Sequence, residues 1–122
     1  RAIYEGICFS HRYHIETLRK FQHDPQAVRI AGGAARSAVW VQMFADVLNM
    51  PMEVTAASEL GTLGAAMCAG VATGMYTDFD EAVSKMVKIV RRVEPERGKE
   101  AIYNKKYNRF KKAIGSLDNY WD

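Results

Sequence analysis

A strand, a helix and a second strand follow one another within residues 27–56, and this unit narrows the fold more than any other segment. The run AVRIAGG at residues 27–33 is apolar and ends in glycines, which predicts a buried strand that stops at Gly32. The run MEVTA at residues 52–56 alternates apolar and polar side chains, which predicts another strand. A helical connection of this length favours parallel pairing of the two strands.

The connecting helix is predicted from large apolar side chains that recur at helical spacing and from Pro51, which ends the pattern. These side chains form two adjacent stripes: Val39, Trp40, Met43, Phe44, Val47 and Leu48. Such a wide apolar face suits a helix that lies on a sheet.

Longer helical patterns flank this unit on both sides. The first predicts a helix that ends before Pro25, with an apolar stripe of Ile3, Ile7, Ile15 and Leu18, widened by Tyr4, Cys8 and His11. The last predicts a buried seam of Tyr103, Tyr107, Phe110, Ile114, Leu117 and Trp121. We therefore expect a helix-rich α/β chain in which residues 1–122 form part of one domain, since two strands make a poor sheet alone.

Residues 60–77 carry no charge and are mostly Gly, Ala and Thr. Too few large apolar residues and no anchoring pattern on both sides disfavour a membrane span. We expect a helix over residues 59–75, buried against strands and a neighbouring helix. A shorter helix is expected to follow, with Asp78 as its N-cap and Glu81 completing a capping box.

Composition excludes several classes of protein. A net charge of +3 and 48% hydrophobic residues fit one globular core and are too weakly basic to predict nucleic-acid binding. The basic run KKYNRFKK favours a solvated amphipathic helix over an RNA-binding surface. Cys8 and Cys68 are expected to be reduced core thiols, and the protein is expected to be cytoplasmic.

Gly32 and Gly33 mark the candidate site. A strand that turns at glycines into a helix leaves backbone N–H groups unpaired at the positive end of the helix dipole, where phosphates bind. Ala34 keeps the entrance narrow, and Ser37 and Gln42 are placed to hydrogen-bond a base or ribose. The stretch matches neither the dinucleotide fingerprint nor a Walker A loop, so a purely structural turn is an equal alternative on local evidence.

Other chemical candidates are weaker. His11 and His14 stand three residues apart without a carboxylate or cysteine placed to complete a metal site, so ordinary histidines are favoured. Asp78 and Asp80 are favoured as capping residues over a metal pair. The sequence contains no Ser/His/Asp arrangement and no Cys-x-x-Cys motif.

Four segments together resemble the C-terminal portion of the FGGY family of carbohydrate kinases, most closely its L-xylulose kinase branch. They are YEGICFS at 4–10, RIAGGAARSAVWVQMFADVLNMP at 29–51, ELGTLGAAMCAGVATGMY at 59–76 and YNKKYNRF at 103–110. The resemblance implies a two-domain enzyme of the actin-like ATPase class with ribonuclease-H-like cores. It implies ATP in the cleft, and residues 1–122 as the later part of the nucleotide-binding domain.

Carried over by position, the resemblance implies that Gly32, Gly33 and Ala34 line the phosphates and adenosine. It further implies that Ser37 approaches the adenine and that Gln42 lies nearby. Ala31 replaces the first glycine of the family's Gly-Gly-Gly-Ala pattern, a small change if its φ is negative. The catalytic aspartate, the Mg²⁺ ligands and most sugar contacts are expected outside this chain.

The function expected is therefore the ATP-binding portion of a kinase that transfers the γ-phosphoryl of MgATP to a sugar hydroxyl, with a ketopentose such as L-xylulose as the substrate. The fragment alone is expected to be inactive and to contact neither nucleic acid nor membrane. Two alternatives stay open. One is a structural fragment that covers its exposed edge by association with a second copy, and the other is a basic nucleic-acid-binding module.

Overall fold

A computed structural model of the chain describes residues 1–21, 25–57, 59–117 and 120. Within these ranges, five α-helices, three strands and one four-residue 3-10 helix follow in order. They are α1 (Ala2–Leu18), β1 (Val28–Ile30), the 3-10 helix Gly33–Arg36, α2 (Ala38–Leu48), β2 (Met52–Thr55), α3 (Leu60–Ala72), α4 (Phe79–Met86), β3 (Ile89–Val93) and α5 (Glu100–Leu117). None of the helices in these described ranges is both long and apolar enough to cross a membrane.

The sheet has the order β1-β2-β3, with β1 parallel and β3 antiparallel to β2. The parallel pair, with Ile30 opposite Val54, confirms the predicted strand–helix–strand unit. Strand β3 was not predicted, and it makes the sheet mixed rather than purely parallel. The alternation of apolar and polar side chains that marks a strand is interrupted by two adjacent arginines. Arg91 lies opposite Val54, while Arg92 lies opposite Glu53 on the other face.

Helix α2 is the centre of the core. It packs on β2 and β3 and also on α1 and α5, so Val41 and Ala45 are fully buried although the predicted stripe omitted both. Val39, which the stripe included, is 75% exposed. The helix ends at Leu48 as Pro51 predicts, and Asn49 closes it in the left-handed conformation.

The stripe predicted for α1 is confirmed only in part, because Cys8 is fully buried whereas Ile3 and Leu18 are 79% and 65% exposed. The buried residues Glu5 and Phe9 were not in the stripe. Apolar periodicity missed Glu5 because its carboxylate is buried against a donor on another helix, a pattern that hydrophobicity alone does not register.

Two carboxylate contacts join α1 to α5, one buried at Glu5 and one half-buried at Glu16. Lys106 Nζ donates to both oxygens of Glu5 at 2.8 Å, and the Tyr107 hydroxyl donates to Glu16 Oε2 at 2.8 Å. Burial acts to raise the pKa of Glu5, but hydrogen bonds from Lys106 and Arg1 outweigh it and hold the pKa below its usual range. The same balance lowers the pKa of Glu16, through Tyr107 and Arg12.

The predicted seam of α5 is buried only in its first half. Tyr103 and Tyr107 lie in the core and Phe110 packs against it, whereas Ile114 and Leu117 are 38% and 51% exposed. Trp121 lies outside the described residues. The seam runs beyond the part of α1 and α2 that it contacts, so its later members have no core to enter.

Helix α3 packs on α4 rather than on the sheet, and only Met67 and Gly70 within it are buried. The prediction of a helix buried against strands is therefore wrong for this chain, as is that of a core thiol at Cys68, which is exposed. Small residues permit close packing but do not specify the partner. Helix α4 begins as predicted, because Asp78 accepts a 2.8 Å hydrogen bond from the Glu81 N–H.

We predict that Glu5→Gln lowers the free energy of unfolding by about 1–2 kcal/mol at neutral pH, because an ion pair with Lys106 is lost. A lowered folded-state pKa stabilises the fold above the unfolded value of about 4.3, and this stabilisation is lost as pH falls through the folded value. Urea unfolding of both forms across this pH range should show the two curves converging in acid. Glu59→Gln, at an exposed residue, serves as the control. A difference in the free energy of unfolding between Glu5→Gln and the wild type that does not change with pH would contradict the stabilising role of the Glu5 carboxylate.

Candidate functional site

The glycine turn, defined here as Gly32 with the 3-10 helix Gly33–Arg36, follows β1 at the carboxyl end of the two parallel strands. Gly32 has φ 73° and ψ −154°, a conformation that favours glycine. A Cβ atom built at Gly32 or at Gly33 would meet no other atom within 4 Å. The backbone here is open to a ligand, as close approach to a phosphate requires.

The prediction that the strand turns directly into a helix is wrong in detail, because the 3-10 helix intervenes. Its hydrogen bonds run from the Ala35 N–H to the Gly32 carbonyl and from the Ser37 N–H to the Ala34 carbonyl, both 3.2 Å. This pattern leaves the N–H groups of Gly33 and Ala34 outside it. The sequence predicted unpaired N–H groups at the start of the long helix. In the structure these two donors belong to the 3-10 helix that precedes it.

Ser37 is the N-cap of α2. Its Oγ accepts a 3.3 Å hydrogen bond from the Trp40 N–H, which satisfies one orphan donor of the helix. The side chain is exposed, and its hydroxyl hydrogen is not used in this cap. Ser37 therefore combines a structural role with a hydroxyl donor that the cap does not use.

Gln42 lies further along α2, and its amide is held within the protein. Nε2 donates to Asp46 Oδ1 and to the Glu94 carbonyl, both at 2.9 Å. Because these bonds use both amide hydrogens, the group left for a ligand is the acceptor Oε1.

Asp46 is a buried residue that sequence reasoning missed. It is 3% exposed and accepts hydrogen bonds from the Glu96 N–H at 2.8 Å and from Lys99 Nζ at 3.1 Å. Glu96, and then Asp46, raise the pKa of Lys99. The signal was a single carboxylate within an apolar helical run, which implies a buried partner.

A cleft of about 650 Å³ opens beside α2, between the start of α1 and the loop that precedes α5. Val39 and Gln42 line it together with Lys99 and Tyr103. The structure thus brings Gly32, Gly33, Ala34 and Ser37 together in one continuous turn and places Gln42 in the neighbouring cleft.

The remaining candidates take ordinary structural roles. His11 packs edge-on against Phe44 with ring centroids 5.4 Å apart. Cys8 is buried, and burial raises the pKa of its thiol to about 12, which keeps it protonated and unreactive. On basic α5, Lys106 pairs with Glu5 and Lys111 lies over the Tyr107 ring, so part of the charge is used inside the protein.

The sequence was compared with known proteins. The sequence model described as the FGGY family of carbohydrate kinases, C-terminal domain, matches residues 1–73. The L-xylulose/3-keto-L-gulonate kinase of Escherichia coli (strain K12) is 39% identical over 120 residues, which are 98% of this chain and 24% of that protein. The chain thus spans about a quarter of the length of the curated relatives it matches.

Solved structures show the same fold. A xylulose kinase from Rhodospirillum rubrum matches 98% of this chain, and 24% of its own, with a TM-score of 0.82 and 28% identity. A ligand-bound xylulose kinase from Lactobacillus acidophilus matches 96% of this chain, and 24% of its own, with a TM-score of 0.87 and 26% identity. These matches confirm the predicted α/β, actin-like ATPase class. The chain belongs to the FGGY family of carbohydrate kinases, as part of its C-terminal domain.

Proposed function

We propose that this chain is the ATP-binding part of a carbohydrate kinase that transfers the γ-phosphoryl group of MgATP to a sugar hydroxyl. The observation that carries the proposal is the open glycine turn, which presents two backbone N–H donors at the carboxyl edge of parallel strands. Crevices at this edge are the usual ligand sites of α/β sheets. Because the family consists of carbohydrate kinases, we assign ATP as the ligand of this turn.

In this proposal each candidate residue has one role. The N–H groups of Gly33 and Ala34 donate to phosphate oxygens, and Gly32 supplies the bend that exposes them. The Ser37 hydroxyl donates to the adenine ring. Gln42 contributes through Oε1 alone, since its amide hydrogens are held by Asp46 and the Glu94 carbonyl.

The part of the chain that the structure describes shows no clustered Mg²⁺ ligands. Within the described ranges, no group of three His, Cys, Asp or Glu side chains is placed to hold a metal ion. We assign the Mg²⁺ ligands and the general base to other parts of the full-length protein, because the chain spans only about a quarter of its relatives' length, and expect this chain alone to be inactive. The transfer is in-line, with domain closure excluding water.

The proposal includes a substrate, which the names of the relatives support, and a location in the cell. Several are named L-xylulose kinases, which supports a ketopentose such as L-xylulose as the acceptor. We place the reaction in the cytoplasm, where a buried free thiol such as Cys8 stays reduced.

We predict that Gly33→Val in the full-length protein weakens MgATP binding at least about tenfold, because the new side chain fills the space beside the phosphate donors. The backbone tolerates the change, since Gly33 does not have positive φ and its Cβ would meet open space. Gly115→Val, also into open space but on α5, is the matched control. Calorimetric titration with MgATP measures both, and unchanged affinity of Gly33→Val would refute the assignment.

We predict that Ser37→Ala weakens ATP binding several-fold but leaves the binding of inorganic triphosphate unchanged, because the hydroxyl contacts the base. The same change should cost about 1 kcal/mol of stability through the lost cap. Ser37→Thr keeps both functions and should restore both quantities. Equal weakening for ATP and triphosphate would show that the hydroxyl acts only through the turn.

A further inference from the structure

Arg91 of β3 reaches the glycine turn from across the sheet. It lies opposite Val54 in the antiparallel pair, so its side chain is on the sheet face that packs against α2. Its neighbours on that face, Met52, Val54 and Val93, are apolar. Arg91 Nη2 donates a 3.2 Å hydrogen bond to the carbonyl oxygen of Ala35, within the 3-10 helix.

The carbonyl that Arg91 binds belongs to a weak element. A 3-10 helix has poor hydrogen-bond geometry, and this one has only four residues. In any helical turn the carbonyls point to one end and the N–H groups to the other. A donor that holds the Ala35 carbonyl against the sheet therefore fixes the direction in which the Gly33 and Ala34 N–H groups point.

We propose that Arg91 is a positioning residue for nucleotide binding, which holds the glycine turn so that its N–H groups face the phosphates. This inference rests on the proposed function. The rigid, always charged guanidinium suits the task, because it keeps its donor in place without any change of protonation.

Arg92, the next residue, is the matched control. It has the same chemistry and strand but lies on the opposite face, where it pairs with Glu53 at 3.0 Å and with Glu94 at 2.8 Å. These contacts are at the surface and do not touch the glycine turn. Replacing Arg92 removes a cation and two ion pairs but leaves the Ala35 carbonyl with its partner.

The test compares Arg91→Met with Arg92→Met in the full-length protein. We expect the KM for MgATP to rise about tenfold in Arg91→Met, with an unchanged KM for L-xylulose and a nearly unchanged kcat. Arg91→Lys, which keeps a charged donor with less rigid geometry, should recover part of the affinity. Hydrogen exchange of the Ser37 amide should accelerate in Arg91→Met alone. Arg92→Met should match the wild type in all of these.

Equal effects of Arg91→Met and Arg92→Met, or a fall in kcat with both KM values unchanged, would overturn the proposal. If Arg91→Met does not fold, Arg91→Lys against Arg92→Lys carries the same comparison. Gly33→Val distinguishes a failure of the proposed nucleotide site from a failure of the positioning role of Arg91. If Gly33→Val weakens ATP binding and Arg91→Met does not, only the positioning role is wrong. If neither variant weakens it, the nucleotide site itself is wrongly placed.

Discussion

Burial of α2 on two sides is the constraint on which the rest of the structure depends. The sheet packs on one side and α1 and α5 pack on the other, so β2, β3, α1 and α5 are each located by their contact with this helix. Both ends are tied as well: Ser37 caps the first turn, and Arg12 donates to the Val47 carbonyl at 3.1 Å in the last. The position of the glycine turn is set by α2, which follows it directly in the chain.

Three carboxylates, two of them buried and that of Glu16 half-buried, make this packing specific. Apolar contact alone permits α1 and α5 to rotate about their axes, whereas Glu5, Glu16 and Asp46 each require a particular donor. The desolvation cost of these carboxylates is offset only in the register that supplies their donors, which come from Lys106, Tyr107 and the loop before α5. This requirement explains why Ile3 faces solvent while the neighbouring carboxylate of Glu5 is buried.

The sequence predicted the parallel strand pair, α2 with its stop, and the Asp78 cap, because each depends on local signals. It missed the burial of Glu5 on α1 and the whole of strand β3, where charged side chains have partners far along the chain. Periodicity measures apolar character and carries no information about such pairs. The glycine turn was located correctly, yet the 3-10 helix within it was not, because the support from Arg91 comes from 56 residues away.

The division of labour within the site follows from the chemistry of its donors. Backbone N–H groups bind any phosphate equally well, so in the proposed site the glycine turn would give affinity without choosing a base or a sugar. Ser37 is both donor and acceptor and discriminates weakly among bases. Both amide hydrogens of Gln42 are used by Asp46 and the Glu94 carbonyl, so this side chain can only accept a hydrogen bond from a ligand. In the proposed function this chain holds the nucleotide, and we assign the choice of sugar to side chains elsewhere in the full-length protein.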